Sequence, residues 1–169
     1  MFNVGILLIN GFGLMSYASL IEPLRAANLL SDTDSYKIIN INVDNNLSVS
    51  SSGVEVRGKN FYDNEFKLDL LLVLSGGDPF LFNNKNVFNW LKKLIKFGVR
   101  IGGVSGGPVV LVKAGVMKGK RMTVHWEHAS ALLEYDDRIL LEKNLYIIDR
   151  DRMTCAGGTA PMDMMLALI

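Results

Sequence analysis

The sequence predicts an α/β sandwich built on a mainly parallel sheet. Short runs that are almost wholly apolar, such as residues 4–9 and 68–74, read as strands buried on both faces. Helix-periodic stretches such as 14–30 and 87–97 lie between them. Strand alternating with helix is the pattern of parallel strands joined by crossover helices.

Along the chain, the run 4–9 is broken by Gly11-Phe12-Gly13. Residues 14–30 then place Leu20, Leu24 and Ala27 on one helical side, and Pro23 is expected to kink that helix or mark a boundary. A second strand is expected at 36–43, a serine-rich hairpin at 47–56 and a buried strand at 68–74 ending in Ser75-Gly76-Gly77-Asp78-Pro79. Residues 87–97 form an amphipathic helix with a Lys92/Lys93/Lys96 face. A strand at 100–104 leads into Gly106-Gly107-Pro108, which opens a helix to about Lys113. A short strand is expected at 122–125, a helix at 127–135, and strands at 139–141, 145–148 and 153–155. Thr159 is placed to cap a last helix, 162–169, with Pro161 in its first turn. That helix ends on apolar residues with no polar tail, so the chain reads as a piece of a longer protein; burial of the helix in a dimer interface is the alternative.

The length of 169 residues suits one domain, residues 1–169, with a sizeable core. Hydrophobic residues at 49% and charged residues at 21% fit a globular chain and exclude a disordered one. A net charge of +1 advertises no nucleic-acid surface, and Lys113, Lys118, Lys120 and Arg121 read as solvated. No run is long enough to span a membrane, and Met1-Phe2-Asn3 leads straight into a strand, so a cytoplasmic protein without a signal peptide is expected. One cysteine, Cys155, precludes an internal disulfide. With only His125 and His128, no multi-histidine metal site is expected, and no cofactor either.

Three segments carry chemistry. Gly103, Ser105 and Gly107 spell G-x-S-x-G between a strand and a helix, the pattern of a sharp turn that lifts its central side chain above the sheet. A hydrolase triad ordered Ser, acid, His fails here: between Ser105 and the histidines the only acid is Glu127, adjacent to both. Gly76 and Gly77 follow another strand, and their N–H groups could converge with those of Ser105 and Gly106 on an anion. His125-Trp126-Glu127 adds an imidazole, a cation–π face and a counter-charge at a strand–helix junction.

Together these segments resemble the ThiJ/PfpI superfamily, the class I glutamine amidotransferase-like proteins, over essentially the whole chain. The resemblance rests on Asn10-Gly11-Phe12, Leu74-Ser75-Gly76-Gly77, the elbow 104–108, the stretch from Gly115 to Trp126, and the ending Cys155-Ala156-Gly157-Gly158-Thr159-Ala160-Pro161-Met162-Asp163. Ile21-Glu22-Pro23-Leu24-Arg25-Ala26-Ala27-Asn28, with His125-Trp126-Glu127, is similar to the N-terminal domains of AraC-type transcription regulators. The resemblance implies a flavodoxin-like three-layer sandwich, a small zwitterionic ligand and a homodimer. It also implies DNA binding only through a C-terminal helix-turn-helix domain outside these residues. For this branch the implied ligands are glycine betaine, dimethylglycine, carnitine or arginine.

Catalytic members of the superfamily carry a cysteine at the elbow and an acid near the start of the first helix. Here Ser105 and Ser16 stand at those positions, and Glu22 belongs to the Glu-Pro-Leu-Arg motif. A serine hydroxyl needs a positioned base, for which only His125 is a candidate, and Cys155 reads as an inert buried thiol. The expectation is therefore a sensing domain without turnover, Ser105 and His125 being remnants of an active site. Its ligand would meet Phe12, Ser16, Gly76, Gly77, Ser105, Gly106, His125, Trp126 and Glu127. Two alternatives stay open: an amidohydrolase, glyoxalase-like or hydratase enzyme using Ser105, and an interaction module whose pocket is plugged by Phe12 or Met15.

Overall fold

The structure is a computed structural model that describes residues 1–31, 34–62 and 65–169. The chain begins with β1 (Phe2–Leu8), α1 (Leu14–Leu30) and β2 (Tyr36–Asn42). A small hairpin follows, β3 (Leu47–Val49) and β4 (Glu55–Arg57), then the two-residue β5 (Lys59–Asn60). Next come β6 (Leu70–Ser75), α2 (Lys85–Lys96), β7 (Arg100–Ser105) and α3 (Gly107–Lys113). The last part comprises β8 (Arg121–Met122), α4 (Trp126–Tyr135), β9 (Leu140–Leu141), β10 (Tyr146–Asp149), β11 (Arg152–Cys155) and α5 (Ala160–Leu168).

Seven strands form one sheet in the order β10-β11-β7-β6-β1-β2-β5. All neighbours are parallel except β10 and β11. Apolar side chains on both faces of the central strands explain this. Along β1 and β6, Leu7, Leu71 and Val73 enter one core with Val87 and Leu91 of α2 and Val109 to Leu111 of α3. Ile6, Leu8, Leu70, Leu72 and Leu74 enter a second core with Leu20 and Leu24 of α1 and Met164 and Met165 of α5. A period-2 strand that is apolar at every position can only be buried between two helical layers, and the result is the three-layer sandwich.

Glycines in and after β7 set how closely α3 approaches. A Cβ on Gly107 would collide with the carbonyl oxygen of Val73 in β6. One on Gly103 would lie 2.6 Å from the Pro108 nitrogen. Only glycine lets this helix begin directly against the sheet.

Four expectations are corrected. Pro23 neither ends nor divides α1; the helix runs unbroken through it, with Pro23 buried beside Leu20 and Leu24. Packing of that face outweighs the one backbone hydrogen bond a proline forfeits. The strand expected at 122–125 is only β8, paired with β9. Beyond it the Thr123 N–H donates to Thr154 Oγ1 at 2.8 Å and the Thr123 hydroxyl to the Asn144 carbonyl at 2.8 Å, so side chains replace ladder bonds. Thr159 sits at the N-cap of α5 in helical geometry, and its side chain caps nothing. The last helix starts earlier than expected, at Ala160. Among the described residues, no helix is long and apolar enough to cross a membrane.

Candidate functional site

The carboxyl ends of β6 and β7 lie side by side, with Ser75 and Ser105 in register. Ser105 has φ 60°, a left-handed conformation that costs a non-glycine residue about 1–2 kcal/mol. Its surroundings hold it there. The Gly106 N–H donates to the Ser75 carbonyl at 2.9 Å, and the His125 N–H to the Ser105 carbonyl at 3.2 Å. Gly157 passes so close that a Cβ on it would stand 2.7 Å from that of Ser105. The G-x-S-x-G pattern is therefore a true elbow, built by β7, α3 and the loop after β11.

Cys155 lies directly beneath. Burial pushes its thiol up to about 12, and the nearby backbone of Gly157 and Ser105 offsets this only in part. It is an uncharged part of the floor, as its sequence context suggested.

The Gly106 N–H is not available to the anion cradle expected there, because it is taken by the Ser75 carbonyl. Gly76 serves a different end: a Cβ there would collide with the Gly11 carbonyl, so its absence lets the β1–α1 loop rest on the β6–α2 loop. This contact lies at the point where the strand order reverses about β1, the usual ligand crevice of such sheets. Gly77 has φ 60° and open space beside it.

Phe12 is fully buried, edge-on to Tyr17 with centroids 5.9 Å apart, and offers no face to solvent. Met15 is exposed. Ser16 is buried, and its hydroxyl accepts from the Gly158 N–H at 2.8 Å, tying the start of α1 to the turn before α5. Where an acid is implied in catalytic relatives, this chain has a structural hydroxyl.

His125 is the N-cap of α4: its Nδ1 accepts from the Glu127 N–H at 3.4 Å. The same nitrogen is 3.4 Å from Glu127 Oε2. Among the described residues, no hydrogen bond joins the Ser105 hydroxyl to the His125 ring. Trp126 is 77% exposed and lies against His125 with centroids 5.6 Å apart. Sequence reasoning gave His128 no part in the site, yet its ring is 5.8 Å from that of His125 and 6.5 Å from Phe80. Burial, then the neighbouring His125, lowers the affinity of His128 for a proton. The i,i+3 spacing of the two histidines was the signal available in the sequence.

Open hollows lie elsewhere. An open groove of about 1380 Å³ runs along the β2–β5 edge beside Trp90 of α2, and one of about 530 Å³ lies between Ile9 and Leu81–Lys85. Neither is lined by Ser105 or His125. The elbow is favoured over both because it combines backbone strain with a cluster of functional side chains.

A model of the family described as DJ-1/PfpI matches residues 3–169. The chain belongs to the DJ-1/PfpI family. It is 38% identical over 168 residues to the HTH-type transcriptional regulator GlxA of Rhizobium meliloti (strain 1021), covering 99% of this chain and 52% of that protein. It spans about half the length of the curated regulators it matches. A solved AraC family transcriptional regulator from Pseudomonas putida superposes with TM-score 0.87 at 24% identity, covering 99% of this chain and 90% of that one. An isonitrile hydratase of Pseudomonas putida is 26% identical over 125 residues, 70% of this chain and 52% of that protein.

Proposed function

We propose that this domain is the ligand-sensing part of an AraC-type transcription regulator and performs no turnover. The observation that carries this reading is the disarmed elbow. Ser105 holds the strained position, but the ring that could take its proton is turned to cap α4, and the place of the partner acid is held by Ser16, bonded to Gly158. An unactivated serine hydroxyl is a poor nucleophile. The 38% identity to a helix-turn-helix regulator supports the same reading.

The ligand is a zwitterionic amine or amino acid of the betaine, dimethylglycine, carnitine or arginine type. Its cationic end meets the exposed Trp126 face and the Glu127 carboxylate. Its carboxylate lies toward Gly77 and the Ser105 hydroxyl. DNA contacts belong to a segment outside these 169 residues, and the sensor works in the cytoplasm as a homodimer. A second reading, an enzyme using Ser105, is favoured by the strain at that residue and the likeness to a hydratase.

Ligand-observed NMR separates the two. Each zwitterion is incubated with the protein and with its Ser105→Ala and Trp126→Ala variants. A sensor broadens the lines of one ligand, recovers it unchanged, and loses the broadening in Trp126→Ala. New product signals that vanish in Ser105→Ala would establish the enzyme instead.

A further inference from the structure

His125, Glu127 and His128 each offer a ligand atom, and these atoms all lie within 4.8 Å of one another. We propose that these three side chains form a site for a divalent transition-metal ion such as zinc, nickel or copper, at the mouth of the elbow.

Four arguments support it. The first is the donor set. Two imidazoles and a carboxylate suit borderline metals, whereas calcium and magnesium prefer all-oxygen shells. The second is distance. Ligand bonds of about 2.0–2.2 Å place donor atoms around a tetrahedral ion roughly 3.3–3.5 Å apart. His125 Nδ1 and Glu127 Oε2 are already at 3.4 Å. With all the ligand atoms within 4.8 Å of one another, bringing His128 in requires a shift of at most about 1.4 Å, within reach of a side-chain rotation.

The third argument is charge. Among the described residues, Glu127 has no lysine or arginine partner; its ion-pair neighbour is His125. Asp78 lies close enough to His128 to add a second negative field. The positive end of α4 opposes a cation, but its effective charge of about one half is smaller than the full charge of the Glu127 carboxylate in the same turn. The fourth is cost. The Nδ1 bond to the Glu127 N–H is 3.4 Å, long for a hydrogen bond, so its loss on metal binding forfeits little.

Three protein ligands leave at least one coordination position open, the arrangement of sites that exchange small ligands. Counting histidines had set a metal aside; the carboxylate between the two rings completes the set. The metal would share Glu127 with the proposed zwitterion contact, and His128, which takes no part in that contact, separates the two.

The test is a calorimetric titration of the chelator-treated protein with zinc, and a copper titration followed by tryptophan fluorescence. The expected result is one equivalent bound at micromolar concentration, with copper quenching the emission of Trp126, a signal removed by Trp126→Phe. His128→Ala should weaken binding by more than the roughly 10–100-fold that loss of an outer-shell partner costs. Should His128→Ala disturb packing on Phe80, Glu127→Gln provides an exposed alternative with the same expected loss. Zwitterion line broadening stays unchanged in a folded His128→Ala protein. The proposal is overturned if no metal binds at micromolar concentration, or if binding survives both variants.

Discussion

Ser105 and Cys155 meet at the elbow in very different states. Ser105 keeps the strained backbone and Cys155 keeps the sulfur, but that sulfur is buried and protonated. The sign of its pH effect follows directly. The folded thiol titrates at about 12 and the ordinary thiol near 9.0. Above the lower value the unfolded chain releases a proton that the folded chain keeps, so stability falls with rising pH, by on the order of 1 kcal/mol per pH unit. The contribution is whole below the unfolded pKa and is lost through the window between the two values. Urea denaturation at a series of alkaline pH values should show this decline in the wild type and a shallower one in Cys155→Ala. Equal slopes would contradict the burial argument.

At the scale of elements, α3 is the piece on which the site depends. Its first turn sits against β6 because Gly107 has no side chain. Gly107→Ala should therefore cost about 3 kcal/mol or more, since the obstruction is backbone and cannot rotate away. Denaturation and the near-ultraviolet dichroism of the folded protein would check this. Such close contacts are visible in the sequence only as glycines. The apolar runs of β1, β6 and β7 were legible because burial on both faces leaves an unmistakable composition. The single-residue overrides were not. Pro23 stays inside α1 because of packing against distant residues, and Thr123 leaves the ladder because Thr154 and Asn144, 31 and 21 positions on, take its hydrogen bonds. No local window contains those partners.

Across the whole molecule, two cores on opposite faces of one sheet leave the strand ends as the natural place for function. There the elbow, the Gly76–Gly11 contact and the first turn of α4 converge. The elbow was legible from G-x-S-x-G. The fate of the Gly106 N–H was not, because Ser75 reaches it only through the strand register. His128 was missed for a similar reason: its meaning comes from the helical turn that returns it to His125. The central claim is that this end of the sheet holds a zwitterion, and the most direct measurement is thermal unfolding against betaine, dimethylglycine, carnitine, choline, arginine and neutral controls. A bound ligand at about 100 times its dissociation constant stabilises by roughly 2.7 kcal/mol, or about 5–10 °C for a domain of this size. The account predicts such a shift with one zwitterion, lost in Trp126→Ala and Glu127→Ala. Melting temperatures unmoved across the panel, or a shift that both variants retain, would contradict it.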